Sequence, residues 1–123
     1  MLQRYRIGRT DRDNLSTIKK TFNQGLCIIY QAQERRLTKL VGKFEFSIET
    51  IGVVQFYQAR VNNVGIDKAI GVPFNALIDN QCIVQIGDIF YKIVRLQYKD
   101  DRSPKWWHIT LQRSEFNYVD ETE

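Results

Sequence analysis

Apolar residues in this chain recur at alternate positions in short runs bounded by Gly, Asn and Asp, and no long stretch keeps the 3.6-residue apolar period of a helix. Such a chain folds by pairing strands, so the expected class is mainly β. Leu26 to Tyr30 is apolar on both faces, which places it centrally in a sheet or barrel. Lys43 to Ile51 differs, with Phe44, Phe46 and Ile48 on one side and Glu45, Ser47 and Glu49 on the other, the pattern of a half-exposed strand or hairpin arm. Cys82 to Ile86, Ile89 to Tyr98 and Trp106 to Arg113 read as a three-strand meander. Gly87-Asp88 sits in the two-residue position that suits a type II′ turn. In the last of these strands Trp107, Ile109 and Leu111 share the expected core face, joined by Ile28, Tyr91 and Ile93 from other strands.

Gly65, Gly71 and Pro73 make residues 61–75 read as a connection or edge. Val53 to Arg60 fits a further strand or a short helix, and residues 13–24 fit a short helix or a strand. The acidic end, Glu115 to Glu123, is expected to fray unless a partner holds it. At 123 residues the chain fits one domain, 1–123.

The longest apolar run is Leu26 to Tyr30, far short of the roughly 18 residues a membrane helix needs, and no apolar run accompanies the N-terminal positive charges as in a secretory signal. A cytoplasmic product with no membrane partner is expected. Cys27 and Cys82 lie in apolar runs without CxxC spacing, so they read as buried free thiols and no metal is expected. With His108 as the one histidine, most triads and zinc clusters cannot be assembled, and no phosphate-cradling glycine motif occurs. Asp100-Asp101 reads as an exposed turn and His108 as a strand residue at a wet or subunit-facing surface. No cofactor and no enzymatic activity are expected.

Residues 1–43 hold ten cations against three acids, whereas the remainder is net negative by three. An excess of this kind is compatible with a nearby polyanion, and equally with a solvated face. Aromatic and basic residues interleave at Phe90, Tyr91, Lys92 and Arg95, as on single-strand nucleic-acid platforms and also as in any small β core.

Four segments, Gln55-Phe56-Tyr57-Gln58-Ala59, Val72-Pro73-Phe74-Asn75, Ile86-Gly87-Asp88 leading to Tyr91-Lys92-Ile93, and Pro104 to Arg113, taken in that order, resemble the head-closure, or head-tail joining, proteins of long-tailed bacteriophages that infect Gram-positive bacteria. The family often has an acidic residue where Gln55 stands.

The resemblance implies a small β-barrel with a long inserted loop or hairpin. It implies a virion protein of the phage neck, made in the host cytoplasm, that assembles with copies of itself into a ring. That ring would sit between the portal or connector and the tail-completion or tail-terminator protein, with packaged double-stranded DNA passing through. The channel loop of that family would fall at Leu37 to Val54, with Gly42 and Gly52 as hinges and Phe44, Phe46 and Ile48 covered by neighbouring loops. Arg35, Arg36, Lys39 and Lys43 would face the DNA channel. The alternatives are a free OB-like or SH3-like nucleic-acid-binding barrel, and a tail-completion protein. No large self-complementary apolar stripe occurs, so the isolated chain is expected to be monomeric or weakly associated.

Overall fold

The computed structural model describes residues 19–51, 66–115 and 118–122. Seven strands follow in order: β1 (Gly25–Gln33), β2 (Arg36–Glu49), β3 (Lys68–Pro73), β4 (Ile83–Ile86), β5 (Ile89–Lys99), β6 (Trp106–Arg113) and β7 (Val119–Asp120). Their order in the sheet is β1-β4-β5-β6-β3-β2-β7, and β1 also pairs with β2. Six antiparallel strands therefore close into a small barrel, with β7 added in parallel to β2.

Closure depends on β2, whose 14 residues serve two neighbours. Residues Arg36 to Phe46 pair with β1, and Ser47 to Glu49 pair with β3. Register shifts lie opposite Ile29/Tyr30 and Gln31/Ala32, leaving Val41 and Thr38 unopposed. Bulges at such points bend and twist a strand, which lets β2 turn from one neighbour to the next.

The β4-β5-β6 meander forms as its alternation predicts, and Gly87 takes φ 62° in the two-residue turn, a conformation that costs glycine least. Pro73 ends β3 opposite Trp106, where the loss of a donor is tolerated. The expected connection at 61–75 is thus corrected over 68–73, which form a strand paired on both sides by β2 and β6. The region from Val53 to Arg60 and residues 13–18 lie outside the described residues.

The interior is filled by Cys27, Ile29, Ile70, Val72, Val84, Tyr91, Ile93, Ile109 and Leu111, among others. Both cysteines are free and buried, and burial pushes their thiols up to about 12 for Cys27 and about 11 for Cys82, so neither is a nucleophile at neutral pH. A second cluster lies on the opposite face of β1, where Tyr30, Leu37 and Ile83 pack with Ile28, Phe90 and Tyr118. Ile28 therefore belongs to this outer cluster and not to the expected core. The expected frayed end is corrected as well: Tyr118 stacks obliquely on Phe90 at 5.3 Å, and β7 pairs with Arg36 and Leu37. The chain's own hairpin is what holds the tail.

Trp107 keeps its expected core face, packing against the cluster of Ile109 and Leu111, but it is Trp106 on the outer face that is the more deeply buried of the two. Trp107 is half-buried at one barrel end, against Phe74 at 5.3 Å and Tyr98 at 5.9 Å. Trp106, on the opposite face of β6, is only 4% exposed. Its ring lies close against Gly71, where a Cβ would come within 2.9 Å of two ring carbons and 2.6 Å of the Ser47 hydroxyl. Glycine is required there by that close approach. Trp106→Ala should cost about 3 to 5 kcal/mol and more than Trp107→Ala. Gly71→Ala should cost about 1 to 3 kcal/mol, and less when Trp106 is also replaced by Ala. Urea unfolding of the single and double variants measures both effects.

Candidate nucleic-acid interface

The β1–β2 hairpin positions the cations singled out from the sequence. Its two-residue turn is Glu34-Arg35, with Glu34 at φ 58°. Arg36, Lys39 and Lys43 follow along β2, and all four basic side chains are exposed. At about 3.3 Å per residue the stretch from Arg36 to Lys43 spans roughly 20 Å. The register puts Arg36 (opposite Gln33) and Lys39 (opposite Gln31) on one face of the hairpin and Lys43 (opposite Ile28) on the other, so the hairpin presents positive charge on both faces, as suits contact with a phosphate backbone.

This geometry corrects the channel-loop expectation. Residues 37–49 are strand, paired to β1 for most of their length, and of the remainder only 50 and 51 are described. Gly42 pairs with Ile29 in mid-strand and has the Phe44 ring over it, so it is not a hinge. Gly52 lies outside the described residues. Phe46 is buried in the barrel's own core and Phe44 packs against that core, so neither is offered to a neighbouring loop. Ile48 alone of the three is exposed. The period-2 reading of Lys43 to Ile51 as a hairpin arm is the one that holds.

The proposed aromatic platform also resolves into packing. Tyr91 is interior and Phe90 lies beneath Tyr118, while Lys92 and Arg95 are exposed. Between the hairpin turn, residues 80–83 and β5 lies an open groove of about 470 Å³, lined by Glu34, Arg35, Gln81, Lys92 and Tyr118 over Ile83 and Ile93. A further surface is the aromatic trio Phe74, Tyr98 and Trp107, of which Phe74 and Tyr98 are exposed. Leu77 is exposed in the loop just after Phe74.

Lys20, counted among the N-terminal cations, has a structural task. Its ammonium pairs with the Glu49 carboxylate and lies 4.2 Å from the centre of the Trp106 ring. Ser47 donates to the same carboxylate. The Trp106 indole N–H donates to Asp101 at 3.1 Å, and Lys20 N–H donates to the Ser103 carbonyl at 2.8 Å. His108, whose ring lies 6.1 Å from that of Trp106, meets the Thr50 carbonyl at 3.1 Å. Together these contacts fasten the segment around residue 20 to the outer face of the barrel. Nothing local in the sequence signals this cluster, because its members come from four separate stretches. Among the described residues no group of three or more His, Cys, Asp or Glu side chains is placed to hold a metal ion.

Burial pushes the Glu49 carboxyl up, but hydrogen bonds from Lys20 and Ser47, with the charges of Lys20 and His108, carry it below its ordinary value. A carboxyl depressed on folding stabilises the fold at pH values above its unfolded pKa, and that contribution disappears as pH falls through the folded pKa. Glu49→Gln should therefore be less stable than the parent at pH 7, and the gap should close as pH drops below about 4.3, the ordinary glutamate value. Urea titrations at stepped pH give the comparison.

No protein-family model and no curated protein matches the chain.

Proposed function

We propose that this chain is a ring-forming adaptor of a bacteriophage neck, of the head-closure type. Copies of it would sit between the portal or connector and the tail-completion or tail-terminator protein, and double-stranded DNA would pass through the ring. The observation that carries the reading is the gathering of four exposed cations, Arg35, Arg36, Lys39 and Lys43, on the hairpin that closes a small barrel. The resemblance of Val72 to Asn75, Ile86 to Ile93 and Pro104 to Arg113 to head-closure proteins supports it, and these segments form the β3–β6 half of the barrel.

In this role each hairpin contributes a fixed charged wall and not a gate, since a strand paired along its length does not swing aside. One hairpin holds a phosphate backbone weakly. A ring repeats the same contact around the DNA, so weak contacts act together through high effective concentration. The exposed Phe74–Tyr98–Trp107 surface supplies the apolar area that a neighbouring neck protein or a second copy would cover. A free single-strand-binding barrel is the weaker reading, because Phe90 and Tyr91 are occupied in packing.

Light scattering of the purified protein should show a monomer or weak associations at micromolar concentration, and mixing with a purified portal–connector complex should yield a ring visible by negative-stain microscopy. Strong, salt-sensitive DNA binding by the monomer, with no assembly on the connector, would favour the free binder instead.

A further inference from the structure

We propose that the acidic C-terminal strand is a displaceable cover over the hairpin edge that meets DNA, so that the tail and a phosphate backbone compete for the same stretch of β2. The inference rests on the DNA-facing role of the hairpin given above, and adds to it a means of keeping that surface closed.

The cover lies where the cations are. Val119 pairs with Arg36 and Asp120 with Leu37. Val119 N–H donates to the Arg35 carbonyl and Glu121 N–H to the Leu37 carbonyl, each at 2.9 Å. Adjacent strands run about 4.8 Å apart. Asp120 and Glu121 therefore sit within a Debye length, about 10 Å at 0.1 M salt, of Arg35 and Arg36. Near the turn, Arg35, Arg36 and Lys39 are then opposed by Glu34, Asp120 and Glu121, and the local charge cancels. Removing the tail leaves a net positive tip.

The cover is also lightly held. Its anchor is Tyr118, whose ring packs on Phe90 and whose hydroxyl is 3.0 Å from that of Ser114. Beyond the anchor, Val119, Asp120 and Glu121 are exposed, and the ladder is two residues long. Few buried apolar contacts and solvent-exposed backbone bonds mark a segment that opens at little cost. Asp120 keeps its carboxylate turned to its own strand, accepting from Thr122 N–H at 2.9 Å and from the Thr122 hydroxyl at 2.6 Å. Its charge is thus fixed in place while the strand lies on β2.

The test compares three forms of the full protein's tail for binding to a fluorescent duplex of about 20 base pairs across a salt series. One is the parent. The second ends at Tyr118, which keeps the aromatic anchor. The third carries Asp120→Asn, Glu121→Gln and Glu123→Gln, which keeps the strand and an acceptor for Thr122, and carries the test alone if the shortened chain fails to fold. Both altered forms should bind DNA at least about fivefold more tightly than the parent and with a steeper salt dependence. Adding Arg36→Gln and Lys39→Gln should abolish that gain. Affinities within about twofold of the parent for both forms would overturn the proposal. Unchanged DNA binding with normal rings on a connector removes the cover and leaves the adaptor. Gained DNA binding with no ring on a connector removes the adaptor and leaves the cover.

Discussion

The barrel depends on one strand being shared between two neighbours. β2 gives its first eleven residues to β1 and its last three to β3. Without the second pairing, β3 would end as an open edge and the interior residues Ile70, Val72, Ile109 and Leu111 would lack a wall. An open edge invites pairing with another chain, and closure removes it. The bulges at Val41 and Thr38 make the sharing possible, because a regular strand of this length would run straight past the barrel.

That same geometry decides what the hairpin can do. Because β2 and β1 run on past the part of β1 that pairs with β4, the hairpin carries Arg36 and Lys39 outward on a paired support, whereas Lys43 lies opposite Ile28 within the barrel wall, and the outer cluster of Tyr30, Leu37 and Ile83 packs the hairpin against the barrel. The far side of the barrel is braced separately, by Lys20, Glu49 and Trp106, so the outer face is covered in two places. In a domain this small, outer clusters add buried surface that one barrel interior cannot supply.

What was legible in the sequence follows from how local each signal is. The β4-β5-β6 meander depends on alternation and one glycine turn, both written in consecutive residues, and it forms as expected. The buried thiols likewise follow from their apolar runs. Trp106 and Trp107 are adjacent on opposite faces, so alternation alone could not say which face the N-terminal segment covers. Gly71 read as a break because its reason, the Trp106 ring, comes from a distant strand. β7 has two residues and an acidic composition, and only its pairing with β2 makes it a strand. Charge counts in the sequence single out the candidate cations, and the alternation from Phe44 to Glu49 marks the strand that carries on from them, whereas the loop implied by the resemblance does not form there.

The sharing of β2 between β1 and β3 is tested most directly by amide hydrogen exchange, read residue by residue by NMR. If β2 closes the barrel, inward amides of residues 42–49 and their partners in 25–29 and 69–71 should exchange slowly and together, near the global unfolding limit. Protection should fall off toward the hairpin turn at Glu34-Arg35. Rapid exchange throughout 37–49, with protection confined to β4, β5 and β6, would show that this stretch is a loop and that the barrel is not closed by it.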